Sequence, residues 1–498
     1  MRGIFASLLI LSVIAFGVQY AAADMVVKLK NGQVITLPVS PQDIDSVTFT
    51  APHAAHAAAA PATPAPAAAS TAMAAPTPAP MPAPSPVPAL ASASPAIPGA
   101  AAIPSQTLAM SPLAPSHPSG RVLHVGPGQD LKLPSQAAQA AQDGDVIEID
   151  AGDYRGDVAV WKANDLVIRG VNGRPHLDAD GSAAQGKAIW VTAGKDIRIE
   201  NVEMSGCHVG DGNGAAIRAE GAGLVLSKVY IHDNEDGILT TDNGDSDVVI
   251  ENSEFAHNGT TSGSTHGVYI GHVRSFTLRG SYFHDTETGH HVKTRALANY
   301  ILYNRILDGP NGDASYSIDM SNGGRSYVIG NIIEKGPKAE NFTLIAYAME
   351  GPTNPVQELY VVGNTMIIDR SNGIFIRSRG PNPAFVADNV FAGPGELMTG
   401  SAKFVNNVLG NNAHADTDPN SGGGQGNRTV ADLRFADPTR YDYHLLPGSA
   451  AIGAGADPGD GAGFKLMPVY EPLTPLGFAT RPVGGALDAG ALSFVVKG

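Results

Sequence analysis

From about Arg121 onward, apolar residues recur in short alternating runs rather than at helical spacing. The tetrads "NVEM" (201), "KVYI" (228), "NSEF" (252), "GSYF" (280), "YNRI" (303), "GNII" (330), "GNTM" (363), "DNVF" (388) and "NNVL" (406) align with one another. Their interval wanders around about two dozen residues, the range of solenoid repeats. The fourth residue of each is apolar: Met204, Ile231, Phe255, Phe283, Ile306, Ile333, Met366, Phe391 and Leu409. Two residues earlier runs a second column: Val202, Val229, Ser253, Ser281, Asn304, Asn331, Asn364, Asn389 and Asn407. Period-2 spacing puts both columns on one strand face. Buried asparagines stacked beside aliphatics are what parallel coils produce, because each amide can bond the coils above and below. A propeller or sandwich would favour hairpins between strands, whereas the joins here are short corners such as "DNEDG". The expectation is an all-β right-handed parallel β-helix.

The flanks divide the chain. Residues 1–23 have a basic start, an apolar run and a small-residue site at Ala21-Ala22-Ala23, matching a cleaved secretory signal. Residues 24–50 alternate around "NG", a hairpin signal in a small β module. Residues 51–118 are almost wholly Ala, Pro and Ser and predict an extended tether. The β-helix domain is expected over 119–498. There "LPSQAAQAAQDGDVIEIDAGDY" (133–154) offers a short helix and first strand as a cap. The stretches "YDYHLLPGSAAIGAGA" and "GGALDAGALSF" look like the closing segments of secreted β-helix proteins.

Composition narrows the function. The 498 residues include 58 Gly and 37 Pro, which suits a turn-rich β protein. A single cysteine, Cys207, excludes an intrachain disulfide framework and reads as a small core or turn residue. The net charge of −15 argues against nucleic acid, which needs a basic face. No apolar run after the signal is long enough for a membrane span. A secreted or periplasmic monomer is expected.

Against that acidic background, "GHHVKTRA" (289–296) stands out. It lies on a second strand of each coil: "DGILTTD" (236), "HGVYIGH" (266), "GHHVKTR" (289), "SYSIDMS" (315), "LIAYAME" (344) and "GIFIRSR" (373). With Val268, Val292, Ile318 and Ile376 pointing inward, parity turns outward Tyr269, then His291, Lys293 and Arg295. Next come Ser317 and Asp319, then Phe375, Arg377 and Arg379. Tyr347 and Glu350 join this outer set, and His290 falls inward as a core histidine. Parallel coils lie ~4.8 Å apart and alternate residues ~6.6 Å apart, so the cations form one tight row. Like charges this close disfavour each other's protonation, and a lysine tuned towards neutrality is a competent base. Three basic residues at consecutive outward positions are poor strand formers, so packing alone does not account for them.

The run from His290 to Ile333 resembles the stretch of alginate lyases and chondroitinase B that carries their catalytic lysine. Lys293-Thr294 matches the lysine and its small hydroxyl neighbour, and Asn304 and Gly330-Asn331 match the framework. The resemblance implies β-elimination on an acidic, uronate-containing polysaccharide. Lys293 would be the base, and Arg295 or His291 would stabilise charge or serve as acid. Tyr269, Asp319, Tyr347, Arg377 and Arg379 would line the substrate. The chain departs from that family in placing Asp319 or Met320 where an arginine is usual. The family's acidic calcium residue has no counterpart in "TGHH". No cofactor or metal is therefore expected, and calcium lacks a supporting motif.

Other readings stay open. "HDNEDG" (232–237) and "TTDNGDSD" (240–247) are acidic enough for calcium, yet such clusters are ordinary turn chemistry. Asp319 with Glu350 is the one carboxylate pair that suits a glycosidase. The same proton abstraction serves a C5-epimerase, and a noncatalytic polysaccharide-binding or cell-surface protein would use the row as a ledge.

Overall fold

The computed structural model describes residues 25–28, 34–37, 120–260, 263–482 and 485–495. The predicted signal peptide (1–23) and linker (51–118) lie outside the described residues. Two compact units are distinguished, residues 1–94 and 95–498. In the first, Met25–Lys28 pairs antiparallel with Val34–Leu37 across the "NG" site, as the alternation predicts.

The second unit is a parallel β-solenoid. Among the described residues its coils build three sheets of twelve, eleven and ten strands. One coil runs Val273–Arg279 in the twelve-strand sheet, Tyr282–His284 in the eleven-strand sheet and His290–Thr294 in the ten-strand sheet. The tetrads supply the eleven-strand sheet. The register pairs Met204 with Ile231, Ile231 with Phe255, Phe255 with Phe283 and Phe283 with Ile306, and continues to Leu409. The column is fully buried, and its Phe255 and Phe283 rings stack with centroids 4.5 Å apart. The twelve-strand sheet, built from runs such as "SFTLR" and "SYVIG", is an element that the tetrad pattern alone does not single out.

Beside the apolar column the polar one forms a continuous ladder. Asn304, Asn331, Asn364 and Asn389 each donate their backbone N–H and side-chain amide to the Oδ1 of the next asparagine, at 2.8–3.0 Å. Asn427 extends the row past Asn407, and at the other end the backbone N–H groups of Val229, Ser253 and Ser281 donate in turn to Ser253, Ser281 and Asn304. Each amide also donates to a strand carbonyl, such as Asn331 to Ile301 at 2.8 Å. Buried polar side chains thereby find partners at every coil. Cys207 is buried in the same core, and its N–H donates to Asn234, the start of a second short ladder through Asn258.

The ends differ in kind. Helix Pro134–Ala140 buries Ala137 against the first coils, as a cap should. The described C-terminal residues run back along two walls. Phe464 and Leu466 pack on Tyr300 and Tyr327 of the twelve-strand sheet, and Tyr327 donates to the Gly461 carbonyl at 2.9 Å. Ala489 and Leu492 pack on Ile332 and Val390 of the eleven-strand sheet. Asn331→Ala would strip Asn304 of both ladder bonds. An orphaned buried N–H costs about 1–3 kcal/mol. Chemical denaturation should register that loss, whereas Lys403→Ala at an exposed position should stay within about 0.5 kcal/mol.

Candidate functional site

The ten-strand wall carries the basic run. Register places Tyr269, Lys293, Asp319, Ala346 and Arg377 in one outward column. A second outward column holds Asp236, His266 and His290, with the Tyr316 ring tilted against His290 at 5.0 Å. Between the two columns two successive residues face the interior. Val292 and His291 are both fully buried, as are Ile345 and Leu344, and Ile376 and Phe375. The wall turns a corner there, so strict alternation counted back from Val292 fails by one residue.

That slip corrects several expectations. His291 is not on the outer row: it is enclosed, bonded through Nε2 to Asp308 at 2.7 Å and through Nδ1 to Thr286 at 2.7 Å. His290 takes the outward place instead. Ser317 and Phe375 also face inward, and Phe375 packs edge-on against Phe391. Tyr347 is buried because Ile345, not Leu344, pairs with Ile318; its hydroxyl donates to the Gly324 carbonyl at 2.7 Å. Arg377 is half-buried on the wall, and Arg379 is exposed near the Met349 carbonyl.

The expected row of like charges is interleaved with acids. Lys293 Nζ donates to Glu350 Oε1 at 2.6 Å, and Arg295 donates to Glu350 Oε2 at 2.5 Å. One carboxylate thus bridges both cations, an oxygen to each. Arg295 also donates to the Tyr269 hydroxyl at 2.8 Å and to Asn322 at 2.6 Å, which fixes its plane. Glu350 comes from the turn after strand Thr343–Tyr347 and is 42% exposed. Burial raises its carboxyl, but hydrogen bonds from Lys293 and Arg295 more than offset that and hold it below its usual value.

Beneath lies Asp319, almost fully buried, 3.6 Å from Lys293 and bonded by Ser321 at 2.7 Å. Burial pushes its carboxyl up to about 6, against the pull of Lys293. His290 Nε2 stands 3.5 Å from the same carboxylate. His266 and His290 stack at 4.8 Å, and each accepts a backbone N–H from the next coil at Nδ1: His290 donates to His266, and Tyr316 to His290. Desolvation drives His266 down to about 3, with Lys293 adding to it, and His290 is also held well below its usual value by burial. Both rings are therefore neutral acceptors.

Sequence pattern gives little sign of a buried network under this wall. Lys335 Nζ contacts Asp308 at 3.2 Å and donates to the carbonyls of Ala314 and Ser315, bracing the loop that delivers Tyr316. The lone signal for it is the charged pair "EK" (334–335) directly after an aliphatic tetrad.

Comparison with known proteins agrees on the architecture. A family model described as the right-handed β-helix region matches residues 177–304. Pectate lyase Pel9A superposes with a TM-score of 0.51 at 13% identity, covering 76% of this chain and 98% of that one. A PL6 family alginate lyase, AlyGC, gives 0.31 at 14% identity over 66% of this chain and 56% of its own. The search of curated proteins returns no significant match. The chain is a right-handed parallel β-helix.

Because His266 is depressed from 6.5 to about 3, the stability it contributes is full above 6.5 and lost as pH falls towards 3. His266→Asn keeps an acceptor near Nδ1 but cannot titrate. Its pH–stability curve should be flatter than wild type between about 6.5 and 3. Parallel curves would refute the assignment.

Proposed function

We propose that this protein acts on a uronate-containing polysaccharide by β-elimination on the ten-strand wall. The observation that carries the reading is the bridging of Lys293 and Arg295 by the single carboxylate of Glu350. A pair of cations already shaped to one carboxylate suits a uronate group, and the Glu350 pairing is easily exchanged. Glu350 is the exposed partner, at 42%, while Lys293 and Arg295 are 11% and 18% exposed, so the carboxylate side of the pair opens to solvent. A substrate carboxylate can therefore take the place of Glu350.

In that pose Arg295 neutralises the uronate carboxylate, which acidifies the proton on the adjacent carbon. Released from Glu350, the Lys293 ammonium gives a proton to solvent, and the resulting neutral amine takes the substrate proton. The electron pair forms the carbon–carbon double bond as the bond to the glycosidic oxygen breaks. The leaving oxygen receives a proton from Tyr269, whose hydroxyl accepts from Arg295 and so keeps its own hydrogen for donation. His291, enclosed against Asp308, has no part in this scheme. Arg377 and Arg379, together on a coil beyond Lys293, would hold neighbouring uronates of the polymer.

The test is ultraviolet absorbance of the unsaturated product on incubation with alginate, pectate, chondroitin and acidic bacterial exopolysaccharides. Lys293→Ala and Lys293→Arg should each lose about 10²-fold or more of the rate, since arginine stays protonated. Elimination that persists in both variants would mean that another group is the base. Binding of a polymer with no absorbance rise, retained in Lys293→Arg, would mean a binding ledge. Release of reducing ends without an absorbance rise, surviving Lys293→Ala but lost in Asp319→Asn, would mean a glycosidase.

A further inference from the structure

The eleven-strand wall carries a second cluster, far along the chain from the basic run. His176, Glu203 and His232 stand on consecutive strands His176–Asp178, Glu203–Ser205 and Tyr230–His232. Register sets Glu203 between His176 and Tyr230. One donor atom from each of the three side chains lies within 4.8 Å of the others, and all three are half-buried.

The two imidazoles are oriented alike. His232 has Asp233 on Nδ1 at 2.6 Å and turns Nε2 to Glu203 at 3.1 Å. His176 has Asp153 by Nδ1 at 3.4 Å and turns Nε2 to Ser205 Oγ at 2.8 Å. A carboxylate on the outer nitrogen, with the inner one turned to the cluster, is the arrangement that orients metal-ligating histidines. The rings lie nearly parallel at 6.0 Å, and Tyr230 backs His232 at 4.2 Å.

The solenoid supplies an internal comparison. Two coils on, His284 has Asp285 on Nδ1 at 2.8 Å, Glu254 at Nε2 at 3.2 Å and Tyr282 stacked at 4.5 Å. That copy has Tyr230 in the register position that His176 fills in the first. The histidine–carboxylate pairing thus stands without an imidazole in that register position, and the His257 ring that lies 6.1 Å from His284 meets it edge-on rather than in parallel.

We propose that His176, Glu203 and His232 form a binding site for a zinc-class divalent metal ion. Two imidazoles and a carboxylate suit zinc rather than calcium or magnesium, which prefer all-oxygen sets. Bonds of about 2.0–2.1 Å place tetrahedral ligands about 3.3 Å apart. The His232–Glu203 separation of 3.1 Å already fits this spacing. Three protein ligands leave a fourth position, beside Ser205, for water.

The probe is Zn²⁺ itself, titrated by calorimetry into chelator-stripped protein, with Co²⁺ absorption spectra reporting coordination. His176→Tyr reproduces the second copy of the motif, and circular dichroism checks that each variant folds. Expected are one site with micromolar or tighter affinity, at least a tenfold loss in His176→Tyr and in His232→Ala, and no change in His284→Ala. The proposal is overturned if wild type binds no zinc. It is equally overturned if His176→Tyr binds as wild type does, or if binding follows His284.

Discussion

Each coil stacks on the next through hydrogen bonds in a fixed register, and both the core and the outer walls follow from that stacking. Along one edge it is enforced by side chains, with each ladder asparagine committed to the coil beyond and to a strand carbonyl. A slip of one residue would leave a row of buried amides without acceptors, at about 1–3 kcal/mol each. The apolar column beside it opposes the same slip, because a shift of one residue would turn every inward side chain to the other face. Register fixed in the core is what allows side chains from different coils, distant in sequence, to meet on the outside.

The walls are used differently. The C-terminal segment lies over parts of the twelve- and eleven-strand sheets, where Tyr327 and Thr365 bond its backbone. The ten-strand wall carries cations, neutral imidazoles and a buried acid drawn from four successive coils. Its chemistry is supported from beneath by charge. Asp308, His291 and Lys335 meet without water-accessible surface and brace the loop that brings Tyr316 to His290. The acidic net charge of the chain does not oppose a polyanion here, because screening limits distant charge to about 8 Å in physiological salt.

The fold was legible because an unbroken apolar column and an asparagine column two residues away arise together in few architectures besides stacked parallel coils. Lys293, Arg295, Tyr269 and Asp319 were placed correctly on one wall for the same reason: Val292 and Ile318 fix their parity. His291, Phe375 and Tyr347 were misplaced. At the corner two successive side chains point inward, and alternation has no means of signalling that. Glu350 reaches the cations from a turn whose path depends on backbone bonds such as its N–H to the Ser321 carbonyl. The His176–Glu203–His232 cluster was hidden because its members come from three coils, and "HDNEDG" (232–237) reads as turn chemistry.

The function proposed for this wall rests on Lys293 and Arg295 forming a carboxylate cradle that a uronate would enter by displacing Glu350. The decisive measurement is a crystal structure of Lys293→Gln soaked with tetragalacturonate and, separately, with tetramannuronate. A sugar carboxylate should lie on Arg295 with Glu350 turned away, and the chain of the sugar should run across the coils of the ten-strand wall. An oligosaccharide bound on another wall, or bound here with the Arg295–Glu350 pair intact, would contradict the cradle.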